Sequence, residues 1–351
     1  MTTCFLTGAT GLIGRQVVAR LLVSPRVERV YALTRRPRVE SVGSTHSVHG
    51  DVRVDGLGLP ADVRDMLARE VTTVVHLAAN TEFSQSLEDA RTINRDGTLR
   101  MLELTADWPN ITRWVYVSTA FVAGLRTGLI KENDRVQARG WANAYEQSKA
   151  EAEDLVREAR PDWVIARSST VVCDDLSGTI SQMNAVHRAL RLHFGGLAPM
   201  LPGTDASRVD VVTTEYVGRG IALAALARDV ARKTFHFCAG AGAMSLDELL
   251  EVSHQAFLRA PAWQRKGIAR PMRTDLETYR LFEAAVHDAG SSRVRQALRS
   301  LSHFVPQLAF PKTFDTRAAD ALLGETAPPV SAFWQRMTNH LVGNTPAVEA
   351  A

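Results

Sequence analysis

The sequence predicts an α/β fold in which a parallel sheet is doubly wound by helices, and three observations carry that expectation. Short apolar runs of strand type alternate with helical periodicities from the N-terminus to about residue 240. The first such run ends in glycines at 8, 11 and 14 and opens directly into a helical pattern. A second helix start, Asn143 onward, carries Tyr145 and Lys149 four residues apart, so both lie on one face.

The elements follow in order. Cys4 to Leu6 reads as a buried strand, and Leu12, Ile13, Val17, Val18, Leu21 and Leu22 recur at helical spacing behind it. The spacing Gly8-x-x-Gly11-x-x-Gly14 between them suits a phosphate site. A helix N-terminus there offers unpaired N–H groups and the positive end of its dipole. Gly8 would permit the tight turn, Gly11 the close backbone approach and Gly14 the close helix–strand packing. Arg29 to Leu33 is a second strand ending in Thr34-Arg35-Arg36, and Ser47 to Val52 a third. A helix over 63–70 precedes the buried strand that starts at Thr73 and opens into small residues through Thr81. One helix is expected from Ser86 to Ala106, with polar Asn94 inside its apolar pattern. Asn94 reads either as a backbone-bonding residue that steadies the site or as a plain exposed helix residue. Arg113 to Thr119 is a strand ending in hydroxyls, and Trp163 to Arg167 is the sixth strand. Residues 176–209 are rich in loop signals. A strand and helix start follow at Asp210, and a late strand at Phe235 to Cys238. Beyond Gly242 no further strand is expected; Ser245-Leu-Asp-Glu is a capped helix start, and the last helix lies near 330–342.

Composition bounds the function. Hydrophobic residues make up 45% and charged residues 23%, as in globular proteins, and a net charge of +3 does not suggest nucleic acid or an anionic membrane surface. The three cysteines (Cys4, Cys173, Cys238) sit in apolar runs and read as buried free thiols. The ten histidines show no ligand spacing, so no metal is expected. His187 and His193 share a helix without an accompanying Cys or carboxylate. The chain enters a strand at once and has no 18-residue apolar run, which predicts no secretory leader, no transmembrane segment and a cytoplasmic location.

The glycine turn, the Tyr145/Lys149 pair and the stretch Val117-Ser-Thr-Ala-Phe-Val-Ala-Gly124 together resemble the extended short-chain dehydrogenase/reductases. Within them the chain is most similar to the thioester-reductase and fatty acyl-CoA reductase branch, over most of residues 2–240. The resemblance implies a Rossmann-type sheet spanning 1–175, with 210–240 returning to it. A smaller, mainly helical substrate region would comprise 176–209 and 241–343, ahead of a tail at 344–351. It implies a catalytic set of Thr119, Tyr145 and Lys149. Thr119 is preferred to Ser118 because alternation along the strand turns the neighbour away. It implies cofactor contacts at Gly8, Thr10, Gly11, Leu12, Ile13 and Gly14, at Asp51 and Val52, at Leu77, Ala78, Ala79 and Thr81, and at Tyr145, Lys149 and Ser168. Ser168 stands where relatives carry Pro. An acid at the end of the second strand would take the ribose hydroxyls of NAD, whereas Arg pairs with the extra phosphate of NADP. Arg35, with Arg36 and Arg15, therefore points to NADPH over NADH.

The expected reaction is NADPH-dependent reduction of an acyl thioester, on coenzyme A or a carrier protein, to an aldehyde or onward to an alcohol. The Lys149 ammonium is expected to lower the Tyr145 pKa. A ketone or alcohol oxidoreductase, or a nucleotide-sugar epimerase or dehydratase, is the alternative on the same fold. A non-catalytic dinucleotide sensor is more remote, because the Tyr/Lys pair is intact. The basic residues Arg265, Lys266, Arg270 and Arg273, then Arg293, Arg295 and Arg299, read either as a solvated helix face or as a surface steering an anionic carrier.

Overall fold

The computed structural model describes residues 1–35, 45–135, 140–289, 292–302 and 305–343. Arg36 and the tail from 344 lie outside them, as do the side chains of Arg265, Lys266 and Arg293.

Seven strands form one parallel sheet: β1 (Thr2–Thr7), β2 (Val27–Thr34), β3 (Thr45–His49), β4 (Thr73–His76), β5 (Arg113–Thr119), β6 (Trp163–Ser168) and β7 (Lys233–Phe237). In space they run β7, β6, β5, β4, β1, β2, β3. The chain therefore builds outward from β1 in one direction and then returns to build in the other. That reversal opens a crevice between β1 and β4 at the carboxyl ends of the strands.

The strands are continuous apolar runs because helices cover both faces of the sheet. Alternation sends Cys4 and Leu6 to one face and Phe5 to the other. On the first face α1 (Leu12–Leu22) packs Val17 and Leu21 with residues of Thr214–Leu226 over Val30, Val75 and Val115. On the second, α2 (Ala61–Glu70), α3 (Leu87–Asn94), α4 (Asp96–Thr105) and α5 (Ala144–Ala159) flank the sheet. There Leu67, Met101 and Val156 meet Phe5, Trp114 and Ile165. Each fully buried side chain of this kind contributes about 1.5–3 kcal/mol of transfer free energy.

The expected helix over 86–106 is two helices. The break falls at Arg95, which caps both. Thr98 donates to the Asn94 carbonyl at 2.6 Å, the hydroxyl back-bonding that bends helices. Strands also continue past Gly242: Met244–Ser245, Met272–Thr274 and Lys312–Phe314 each form a two-stranded pair outside the main sheet. Segments of two or three residues are too short to show alternation. The segment at 211–213 pairs with Thr170–Cys173, and only Lys233–Phe237 joins the main sheet. Ser245 and Glu248 form the expected capping box. His187 completes another with Asn184, and its other ring nitrogen meets the Val172 carbonyl at 2.7 Å.

Candidate active site

The glycine turn leaves β1 at the carboxyl edge. Gly8 has φ of +74°, which favours glycine, and a Cβ there would lie 2.7 Å from the Ala78 nitrogen. A Cβ on Gly14 would lie 2.1 Å from the Gly8 carbonyl oxygen. The turn is thus pressed between α1 and the chain leaving β4. Gly11 is the N-cap of α1, and no side chain caps that helix. Its first-turn N–H groups therefore face the open edge without a side-chain acceptor, as a pyrophosphate site requires. Arg15 folds back to the Thr10 carbonyl at 3.0 Å. These residues fit a dinucleotide.

On the same edge Thr7 is in register with His76, His76 with Tyr116, and Thr119 with Ser168. Thr119 Oγ1 donates to the Ser168 carbonyl at 3.3 Å and accepts from Phe121 N at 3.3 Å. Its hydroxyl also lies beside that of Tyr145. Ser118 sits beside Glu153, away from that pair, as strand alternation requires. Asn143 caps α5 by accepting from Glu146 N at 3.0 Å, which sets Tyr145 in the first turn. The Phe83 ring lies 5.7 Å from that of Tyr145.

Lys149 stands one turn further on, buried. Its Nζ donates to the Val117 carbonyl at 2.7 Å and lies 4.0 Å over the Tyr116 ring. Burial pulls its pKa down to about 7, against the upward pull of Glu153. The expected activation of Tyr145 by Lys149 is not what the site shows. Burial, then the Glu146 carboxylate, hold the Tyr145 pKa above the ordinary phenol range, with the nearby Thr119 hydroxyl opposing. The ammonium faces a carbonyl and a π-face instead, so Tyr145 is a neutral phenol that can donate.

A buried polar chain links the turn to Tyr145. Ala78 N donates to Thr7 Oγ1 at 3.1 Å, and Thr7 meets His76 Nδ1 at 2.7 Å. His76 Nε2 meets Thr98 Oγ1 at 3.1 Å, and Thr98 donates to the Asn94 carbonyl. Burial and the Lys149 charge push the His76 pKa down to about 3, so its ring is neutral and each nitrogen takes one role. Asn94 is buried; it accepts from Asn80 N at 2.8 Å and donates to Asn80 O at 3.0 Å and to Ser148 Oγ at 2.9 Å. Ser148 donates to the Tyr145 carbonyl at 3.0 Å. Asn94 therefore bonds backbone, one of the two readings its sequence allowed. Sequence reasoning passed over His76, Asn80, Phe83 and Ser148; a polar residue inside an otherwise apolar strand was the available signal for His76.

The remaining candidates are more scattered. Leu77, Ala78 and Ala79 are half-buried along the crevice and Thr81 is exposed. Leu12 and Ile13 pack partly against the core. The Val52 side chain is buried against Gly97, so only its backbone is free for a ligand. Asp51 is held below the usual carboxylate range chiefly by Arg53, which it meets at 2.6 Å, with Arg35 contributing. Arg35 is exposed just past β2. Of the basic residues toward the C-terminus, Arg270 pairs with Glu251 at 3.0 Å and Arg273 with Asp205 and Asp247. Those two are surface ion pairs and not free charge. Among the described residues no group of three His, Cys, Asp or Glu could hold a metal, and no helix is long and apolar enough to cross a membrane.

Residues 6–45 and 36–221 match an NAD-binding family model described as Male sterility protein. Fatty acyl-CoA reductase wat of Drosophila melanogaster is 30% identical over 141 residues, 33% of this chain and 27% of the relative. The polyketide synthase-nonribosomal peptide synthetase ACE1 of Pyricularia oryzae is 29% identical over 262 residues, 64% of this chain and 6% of the relative. The chain thus spans little more than a quarter, or far less, of these relatives' own lengths. Among solved structures, the terminal R domain of the myxalamid PKS-NRPS pathway superposes with a TM-score of 0.76 at 22% identity. That match covers 98% of this chain and 90% of the other, and it supports the Rossmann-type fold.

Proposed function

The chain belongs to the Male sterility protein family, and from that premise we propose that it is an NADPH-dependent reductase that converts an acyl thioester to an aldehyde. The observation that carries the proposal is that Thr119, at the carboxyl end of β5, and Tyr145, in the first turn of α5, bring their hydroxyl groups together at the edge from which the glycine turn also leaves. The names of the curated relatives, a fatty acyl-CoA reductase and a polyketide synthase-nonribosomal peptide synthetase, support an acyl thioester as substrate.

Bound in that crevice, the reduced nicotinamide supplies the hydride that reduces the thioester carbonyl. The turn at Gly8–Gly14 would hold the pyrophosphate, with Thr10, Leu12 and Ile13. Leu77, Ala78, Ala79 and Thr81 would line the ribose, with Asp51 and Val52 at the adenine end and Ser168 near the nicotinamide. Arg35, exposed at the end of β2 where no acid stands, favours the additional phosphate of NADPH. Tyr145 would donate a hydrogen bond to the carbonyl oxygen as negative charge develops on it, and Thr119 would do so on turning its hydroxyl away from the Ser168 carbonyl. Because Tyr145 is a neutral phenol, it supplies the proton to that oxygen. Lys149 is anchored on Val117, which fixes the register of α5, and its remaining donors would hold the nicotinamide ribose. Collapse of the resulting hemithioacetal expels the thiol and leaves the aldehyde. The region from 241 to 343, with 176–209, forms the substrate side. Coenzyme A or a carrier protein delivers the acyl group.

The test is NADPH oxidation with a panel of acyl thioesters and matched ketones, products being identified by mass. Aldehyde and free thiol in equal amounts are expected. Turnover of ketones or sugar nucleotides alone would assign the site to the alternative oxidoreductase or epimerase chemistry.

A further inference from the structure

A cleft of about 800 Å³ opens at the amino edge of the sheet, where β6 begins at Trp163 and β7 at Lys233. The glycine turn and Tyr145 lie at the opposite edge. The helix α5 connects the two: Tyr145 is in its first turn and Arg157 in its last, about 18 Å apart at 1.5 Å per residue.

Six cations line the cleft: Lys131, Arg135, Arg157, Arg232, Lys233 and Arg317. Its two carboxylates are already engaged. Glu132 is buried and accepts from the backbone N–H groups of His236, Ala318 and Ala319. Asp315 is paired with Arg317 at 2.8 Å. Beneath the cleft, Glu153 is bidentate to Arg167 at 2.7 and 2.9 Å, both side chains being 1% exposed. Arg157 reaches the same carboxylate only at 3.4 Å, with its side chain 8% exposed. Arg157 and Arg167 thus both lean on Glu153, with Asp154 a second acidic neighbour of Arg157. Arg157 stacks 4.8 Å over the Trp163 ring and donates to Thr234 Oγ1 at 3.1 Å, while its Nη1 is buried without a partner. A buried guanidinium nitrogen without an acceptor is costly, and a ligand oxygen would complete it.

We propose that this cleft is a second ligand site, for a small molecule bearing two or more phosphate charges, held by Arg157 from below and by Lys131 and Lys233 at the rim. The volume is that of a small-molecule pocket and not of a flat protein interface. Planar guanidinium groups bind phosphate by paired, charge-assisted hydrogen bonds. The site does not depend on which carbonyl compound Tyr145 serves.

The full chain is titrated calorimetrically with inorganic pyrophosphate and, separately, with adenosine 3′,5′-bisphosphate. Each titration is run with and without saturating NAD and NADP, which keep the glycine turn out of the measurement when present. Saturable binding of at least one probe is expected. The affinity should fall about tenfold or more in Arg157→Gln and in the double variant Lys131→Ser/Lys233→Ser, a loss of one or two charge-assisted bonds. The double variant changes exposed residues and keeps its melting temperature. Equal affinity for both probes marks a bare phosphate site, and tighter bisphosphate binding marks a nucleotide site; either supports the proposal. It is overturned if neither probe binds, if binding is unchanged in both variants, or if the dinucleotides abolish it. Binding of a polyglutamate peptide with no binding of either phosphate probe also overturns it, in favour of a protein-docking face.

Discussion

The Asn94 side chain holds the Asn80 backbone at both ends, accepting from its N–H at 2.8 Å and donating to its carbonyl at 3.0 Å. The same amide reaches Ser148 on the helix that carries Tyr145. One buried side chain thus sets the distance between the crevice wall and the proton donor. Asn94→Ala leaves both Asn80 groups and Ser148 short of a partner. A stability loss of about 1–3 kcal/mol is expected, the cost of buried groups left unsatisfied. Urea denaturation checks it; an unchanged midpoint would show that water replaces the amide without cost.

Tyr145→Phe keeps the ring and its contact with Phe83 and removes only the hydroxyl. Turnover is expected to fall by roughly two or more orders of magnitude, with cofactor affinity preserved. Thr119→Ser should retain most activity and Thr119→Ala should not, because the hydroxyl is the group that meets Tyr145. Single-turnover kinetics under saturating cofactor separate these variants. Near-normal turnover in Tyr145→Phe would remove the tyrosine from its role.

Arg35→Asp tests cofactor choice. NADPH binding should weaken by about 2–3 kcal/mol, the scale of a lost charge-assisted bond plus repulsion. NADH binding should change less. Equal affinity of the unaltered protein for the two cofactors would remove Arg35 from phosphate recognition.

Burial lowers the Lys149 pKa from 10.5 to about 7. Between those values the unfolded chain binds a proton there that the folded chain does not, so stability rises with pH across this window. The contribution is fully present above about pH 10.5 and is lost as pH falls to about 7. Lys149→Met should flatten the pH dependence of stability between pH 7 and 10 relative to the unaltered protein. Parallel denaturation curves for the two proteins across that range would place the proton elsewhere.

The local elements of this chain were legible from residue order alone. Glycines at 8, 11 and 14 behind a short apolar run, and Tyr145 four residues before Lys149, mark the turn and the helix face because both depend on spacing within one segment. The capping box at Ser245 and the strand ending at Thr119 are local in the same sense. The short strands past Gly242 were not legible, because two or three residues show no period and their partners are distant: Lys312 pairs with Gly128.

Electrostatic states belong to the tertiary structure. Spacing placed Lys149 on the Tyr145 face, but packing sent its ammonium to Val117 and Tyr116 and left the tyrosine neutral. The polar chain from Thr7 through His76, Thr98, Asn94 and Ser148 joins four stretches that are remote in sequence, and the cleft around Arg157 gathers cations from helix, strand and loop. A pKa or a hydrogen bond depends on which side chains and backbone groups surround an atom and on how much water reaches it, and in this chain only the folding of distant segments onto one another decides both.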